Sequence, residues 1–263
     1  MAPPLAVLVS PCLITALLVP PPATSSCSGV QPSTCSGAGC SATLPTSRRL
    51  AIASAAAVLI GSCGSASAAE PYRVAMSVLL DPQKQTRGEV IIEVVPDWAP
   101  LAAARFRELI DIGFYKRTRF HRVLQGFLPG ELAIAQFGIS TSRELNQAWL
   151  CGTCNRLPDE RRTRSNTRGT LSFAASSQKN SRQTQVFINL ADNGGIPNFL
   201  DGPAPLNQEF VPFARVVSGM ELLPKLLSES SVNQAKAAYY VEEYLDAVYP
   251  KLSMIEDVRV LVP

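Results

Sequence analysis

"RFHRVLQGF" (119–127) holds the only histidine of a 263-residue chain, beside an arginine and inside a short apolar run. Its reading as a β-strand decides the fold. Neighbouring side chains of a strand point to opposite faces, so Phe120, Arg122 and Leu124 are expected on one face and His121 and Val123 on the other. Burying an arginine fully is costly, which turns Arg122 outward and His121 toward the core. Taken alone, His121 reads as a core histidine satisfied by hydrogen bonds, and Arg122 as the residue free to do chemistry. A single histidine leaves no His-rich metal site, and any Ser-His-Asp triad would have to use it.

The flanking segments carry the same period. "YRVAMSVLL" (72–80) and "EVIIEVV" (89–95) are β-branched runs separated by a turn marked by Pro82 and Gly88, a first antiparallel hairpin. "APLAAARFRELIDIG" (99–113) changes to a helical spacing, with Pro100 in the first turn and Gly113 as the stop. Further strands are expected in "GTLSFAAS" (169–176), "TQVFINLA" (184–191), "FVPFARVV" (210–217) and "MIEDVRVLV" (254–262). "GMELLPKLLSES" and "AAYYVEEYLDAVYPKL" read as helical. Many short strands, with a helix early and another late, predict a mainly β fold: a closed antiparallel barrel capped by helices.

The two ends of the chain differ in composition. No Asp or Glu precedes Glu70, and Arg48 and Arg49 are the only basic residues before it. Residues 1–47 are rich in Ser, Thr, Pro, Ala and Gly, lack a spaced apolar face, and read as unfolded. An acidic-poor, Ser-rich N-terminus has the character of a transit peptide, although arginine is scarce. Its apolar opening also fits an endoplasmic-reticulum signal placed before such a peptide. Over 47–69 follow twin arginines, an apolar stretch at 50–60 and Ala66-Ser67-Ala68, the layout of a twin-arginine export signal with its cleavage site. That stretch is shorter than the roughly 20 residues a bilayer span needs, and the plainer alternative is an Ala-rich anchor or tail.

The chain therefore divides into a bipartite targeting presequence (1–69) and one domain (70–263). All 21 acidic and 22 of the 24 basic residues lie in the domain. So balanced a charge gives no reason to expect nucleic acid or an anionic membrane as partner. The arginines at 156, 161, 162, 164 and 168 are interrupted by Asp159 and Glu160 and read as a solvated loop. Cys151 and Cys154 form a C-x-x-C pair, but in a loop rather than at a strand-to-helix turn, so incidental thiols or a reversible disulfide are favoured over redox catalysis.

Several motifs in order then carry a resemblance: "ARFRELIDIGFYKRTRFHRVLQGF", "AQFGI", "SNTRGTLSFAAS", "QVFINLADN", "FLDG" and "FVPFARVVSGM". From about Arg73 onward the chain resembles the cyclophilin family of peptidyl-prolyl cis-trans isomerases, in its bacterial and plastid branch. The resemblance implies a closed eight-stranded antiparallel barrel capped by two α-helices, with a prolyl pocket on its outer face, no cofactor and no metal, and proline-containing polypeptides as partners. By motif it implies Arg122, Phe127 and Gln136 as catalytic residues. Ile134, Ala174, Ala175, Phe187, Phe199, Leu200 and Phe210 are implied to bind substrate. With the presequence, it places the mature protein in the chloroplast thylakoid lumen, with photosynthetic complex subunits as candidate partners and no stable membrane insertion after processing.

The sequence departs from the family pattern near this site. Arg122 and Gln136 are fourteen positions apart, against about eight in the family, so about six residues near 128–133 are inserted. Phe199 stands where many members have tryptophan, Phe210 where histidine is frequent, and Ala175 where asparagine is common. The rival reading is a catalytically weak cyclophilin-like module that grips proline-containing segments or serves as an assembly scaffold in the thylakoid lumen. The presequence yields one prediction: the mature N-terminus lies within a few residues of Glu70. Sequencing the N-terminus of protein purified from the organelle checks this, and a product that keeps Arg48 refutes the export signal.

Overall fold

The computed structural model of the chain describes residues 69–126, 131–150, 155–202, 209–227, 229 and 232–261. The presequence up to residue 68, Phe127, and the Cys151/Cys154 pair lie outside the described residues. The strands are β1 (Tyr72–Asp81), β2 (Thr86–Val94), β3 (Arg122–Leu124), β4 (Ile134–Phe137), β5 (Thr170–Phe173), β6 (Val186–Asn189), β7 (Pro212–Ser218) and β8 (Met254–Leu261). They form one antiparallel sheet in the order β3-β4-β6-β5-β7-β2-β1-β8. The α-helices are α1 (Pro100–Asp111), α2 (Arg143–Trp149) and α3 (Gln234–Val248).

The sheet curls into a half-barrel and not into the closed barrel expected. Its edges, β3 and β8, share no ladder. The chain ahead of β3 touches the start of β8 through one bridge, Arg119–Met254, with Phe120 N–H donating to Ser253 O (2.9 Å) and Ile255 N–H to Thr118 O (2.7 Å). A three-residue β3 is too short to extend that pairing. Its brevity also breaks the expected alternation: Phe120 does not share the face of Arg122 but is buried in the core against Phe137, ring centroids 5.6 Å apart.

The core explains why these segments settle as they do. In β2, Val90, Ile92 and Val94 point inward at every second position. Phe213 of β7 stacks between Phe106 of α1 (5.1 Å) and Phe173 of β5 (5.2 Å), and Tyr115 packs on Phe106 and Phe137. These rings are all less than 2% exposed, and aromatic pairs at such spacings add to the area they bury.

The helices differ more from the reading of the sequence. α2 was not foreseen: it is seven residues long, capped by Ser142 Oγ accepting from Leu145 N–H (3.1 Å). Buried Asn146 donates to Ser140 O and Ala238 O, tying α2 to α3. The segment around Pro224 makes only a 3-10 turn, Leu223–Lys225, instead of a helix. The backbone turns extended at Leu226, where Leu223 and Leu226 enter the core and Leu227 N–H donates to Ser253 Oγ.

α1 begins after Ala99, which has no capping side chain. The vacant N–H groups of Leu101 and Ala102 donate instead to the two carboxylate oxygens of Glu160, at 2.7 and 2.9 Å. A carboxylate there satisfies orphan donors and opposes the positive end of the helix dipole. Glu160→Ala should therefore cost about 1 kcal/mol, the usual worth of a cap, and lower the Tm measured by differential scanning calorimetry by a few degrees.

Candidate functional site

Strand alternation sorts β3 to β6 into two faces. Val123, Ala135, Phe137, Leu171, Phe173, Val186 and Ile188 belong to the main core. The intervening residues meet on the outer face, where the ladder sets Arg122 opposite Gln136, Gln136 opposite Phe187, and Phe187 opposite Ser172. Four strands thus contribute one row. The fourteen-residue spacing does not disturb it, because the additional residues fall within the β3–β4 connection and the pairing resumes at Leu124–Ile134.

Beside the row lies a second apolar cluster, separate from the core: Ile134, Ala174, Ala175, Phe187, Leu200 and Phe210, with Leu124 and Leu132 packed against it. Phe187 and Phe210 meet edge to face at 5.5 Å. Phe199 is half-buried at the rim with φ of +52°, and Leu200 is buried. The rim is braced by Asn166, whose Nδ2 donates to Phe210 O (2.7 Å) and to Asp201 Oδ1 (2.8 Å). Partial burial alone would raise the Asp201 carboxyl. Hydrogen bonds from Ser165 and Asn166 and the charge of Arg162 outweigh it and hold the carboxyl below its ordinary range.

Arg122 is half-buried, and burial draws its guanidinium down to about 10, so it stays charged at neutral pH. Its Nη1 donates to Gln136 Oε1 (3.4 Å), and Gln136 Nε2 donates to Gln185 Oε1 (2.7 Å). Gln185 was missed in the sequence, although alternation from Phe187 would have placed it on this face. The arrangement offers a fixed cation at the edge of an apolar cluster, backed by two amides. It can orient and polarise an uncharged group held on the rings.

Two other features are less suited to chemistry. A cleft of about 640 Å³ between the start of β1 and α1 is lined mainly by apolar groups, with Glu70, Asp97 and Arg107, the last already paired with Asp111 at 2.9 Å. It shares no residue with the row. His121 is buried as expected but not satisfied: neither ring nitrogen has a hydrogen-bond partner in good geometry among the described residues. Burial, offset only in part by the neighbouring Gln185 amide and Arg119 backbone, and reinforced by the Arg122 charge, lowers its pKa to about 4.

Comparisons with known proteins bear on this geometry. Residues 79–242 match the family described as "Cyclophilin type peptidyl-prolyl cis-trans isomerase/CLD". A probable peptidyl-prolyl cis-trans isomerase of Brucella abortus (strain 2308) is 33% identical over 180 residues, covering 67% of this chain and 83% of that protein. Peptidyl-prolyl cis-trans isomerase B of Escherichia coli (strain K12) is 31% identical over 139 residues, covering 53% and 78%. The crystal structure of a Cryptosporidium parvum cyclophilin type isomerase superposes with a TM-score of 0.50 at 22% identity, over 74% of this chain and 99% of that one. That last likeness concerns the fold.

The buried histidine sets a pH dependence. Its folded pKa lies below the ordinary value of about 6.5, so the unfolded chain takes up the proton first as pH falls. The contribution of neutral His121 is fully present above about pH 6.5 and is lost progressively toward pH 4. His121→Gln should therefore lose less Tm than wild type between about pH 7 and 4.5. Parallel melting curves of the two proteins check this, and equal losses refute it.

Proposed function

The chain belongs to the cyclophilin-type peptidyl-prolyl cis-trans isomerase family, and from that premise we propose how its outer-face residues accelerate rotation about X-Pro bonds. The observation that carries the proposal is the register that brings Arg122, Gln136 and Phe187 into one row beside the apolar cluster. Ile134, Phe187, Leu200 and Phe210 hold the proline ring, Phe199 borders it, and the backbone at Ala174 and Ala175 lines the path of the peptide. Phe127 joins them by its place in the motif.

An X-Pro amide rotates over a barrier of about 18–20 kcal/mol because resonance must be broken. Uncatalysed, the exchange takes tens to hundreds of seconds. No covalent bond need form; the site has only to fit the twisted amide better than either planar isomer. As the bond twists, the lone pair of the prolyl nitrogen localises. A guanidinium held toward it stabilises that state and gains little from the planar one. Gln136, itself held by Gln185, fixes the direction of the Arg122 fork.

The clients we propose are flexible proline-containing polypeptides. The layout of residues 1–69 supports delivery to the thylakoid lumen, where subunits of photosynthetic complexes would be among them.

Arg122→Ala should cut kcat/KM by about 100-fold or more, the order seen when one preorganised donor is removed, and weaken peptide affinity much less. Arg122→Lys should rescue poorly, since an ammonium lacks the planar fork. Because the guanidinium loses its proton only near pH 10, wild-type activity should be level through neutral pH and fall as pH rises through about 10. A protease-coupled isomerisation assay, with peptide titration and melting on each variant, measures all three. Full activity in Arg122→Ala overturns the role given to this residue. Tight binding without acceleration in wild type would instead favour a proline-binding module.

A further inference from the structure

The outer-face cluster is shut. Ile134, Ala175, Phe187, Leu200 and Phe210 are fully buried and Ala174 is 2% exposed. A surface that is to receive a proline ring cannot remain so enclosed while the ring is bound. Among the described residues, the apolar side chains packed against the cluster from outside it are Leu124 and Leu132, both partly buried. Leu124 lies in β3 and is held by the ladder opposite Ile134. Leu132 lies in no strand and belongs to the segment by which this chain exceeds the family spacing.

The backbone next to Leu132 is anchored. Ala133 N–H donates to Asn193 Oδ1 (3.3 Å), while Ala133 O accepts from Leu190 N–H and Asn193 Nδ2, both at 2.8 Å. Gly126 lets the returning chain pass close by: a Cβ there would stand 2.9 Å from that of Ala133, at a φ of +61°. Leu132 is therefore delivered to the cluster from a fixed point, yet its own side chain is only half enclosed. Its branched four-carbon side chain is similar in bulk to a pyrrolidine ring.

We infer that Leu132 is an intramolecular competitor for the prolyl cavity, so that substrate affinity is set by how readily this side chain gives way. The inference rests on the reading of the outer-face cluster as the prolyl site. Substrate binds only the fraction of molecules in which Leu132 has moved aside, and apparent affinity is reduced by that fraction. Leu132 is thus a specificity-determining residue: peptides with larger apolar surface around proline displace it more effectively than small ones.

The test compares wild type with Leu132→Ala in isomerisation kinetics and in titration with a short Ala-Pro-containing peptide, with melting curves alongside. Leu132→Ala should lower KM and peptide Kd by about fivefold, the order expected from the packing of a half-buried leucine, with kcat little changed. An equal or higher KM and Kd in a folded variant overturns the inference, since Leu132 would then be neutral or part of the substrate contact. A measurement on wild type is independent of the variant's folding. Saturating peptide should move the Leu132 methyl NMR signals toward positions of an unpacked leucine, and unmoved signals overturn the inference. If wild type binds peptide without accelerating rotation, the catalytic reading fails by itself. Leu132 is then judged on Kd alone: tighter binding by Leu132→Ala upholds it, and equal binding overturns it.

Discussion

The hydrogen-bond register of β3, β4 and β6 is the constraint on which the outer face depends, and it is enforced from the opposite side of the sheet. Phe137 is locked between Tyr115 and Phe120 in the core, two positions from Ala135 and out of phase with Ile134 and Gln136. A slip of one residue in β4 would turn Phe137 out of the core and Gln136 into it. Apolar packing thus holds Gln136 opposite Arg122 with no polar contact required to set the position. The amide-to-guanidinium contact refines an alignment already made.

The two kinds of polar group around the site are treated differently by the fold. Arg122 keeps a path to the surface, whereas Gln136 and Asn166 are enclosed: Gln136 lies between Arg122 and Gln185, and Asn166 spends its donors on the carbonyl of Phe210 and the carboxylate of Asp201. A buried amide with both functions engaged is costly to displace. It ties Phe210 to the Leu200–Asp201 turn, where Phe210 N–H also donates to Leu200 O (3.0 Å), although neither Leu200 nor Phe210 lies in a strand.

What was legible in the sequence followed the length of each pattern. The β1–β2 hairpin and α1 were plain, because a nine-residue β-branched alternation and a twelve-residue helical spacing bounded by Pro100 and Gly113 each have few alternatives. The half-barrel was not legible: whether β3 closes on β8 depends on a few hydrogen bonds at 118–120, which leave no periodic trace. β4 and α2, of four and seven residues, are too short to show a period, and α2 is held by Asn146 reaching Ala238 far along the chain. The candidate site was legible as an ordered set of motifs, but Gln185 was passed over because its role depends on Gln136 in a different strand. His121 was placed correctly in the interior, while the lack of a well-aligned partner for its ring among the described residues could not be read from its neighbours in sequence.

The pairing of β1 with β8 joins Arg73 to Leu261 and Val74 to Val260, so the first strand of the sheet has one of its two neighbours supplied by the last. Such topology has a high contact order, and the chain must close its largest loop before that pairing contributes anything. While the polypeptide is being synthesised, β1 can form a hairpin with β2 but keeps an unsatisfied edge until the final strand emerges. A catalyst of prolyl-bond rotation is itself built on a topology of high contact order, and its nascent chain stays exposed to wrong edge pairing until β8 is made.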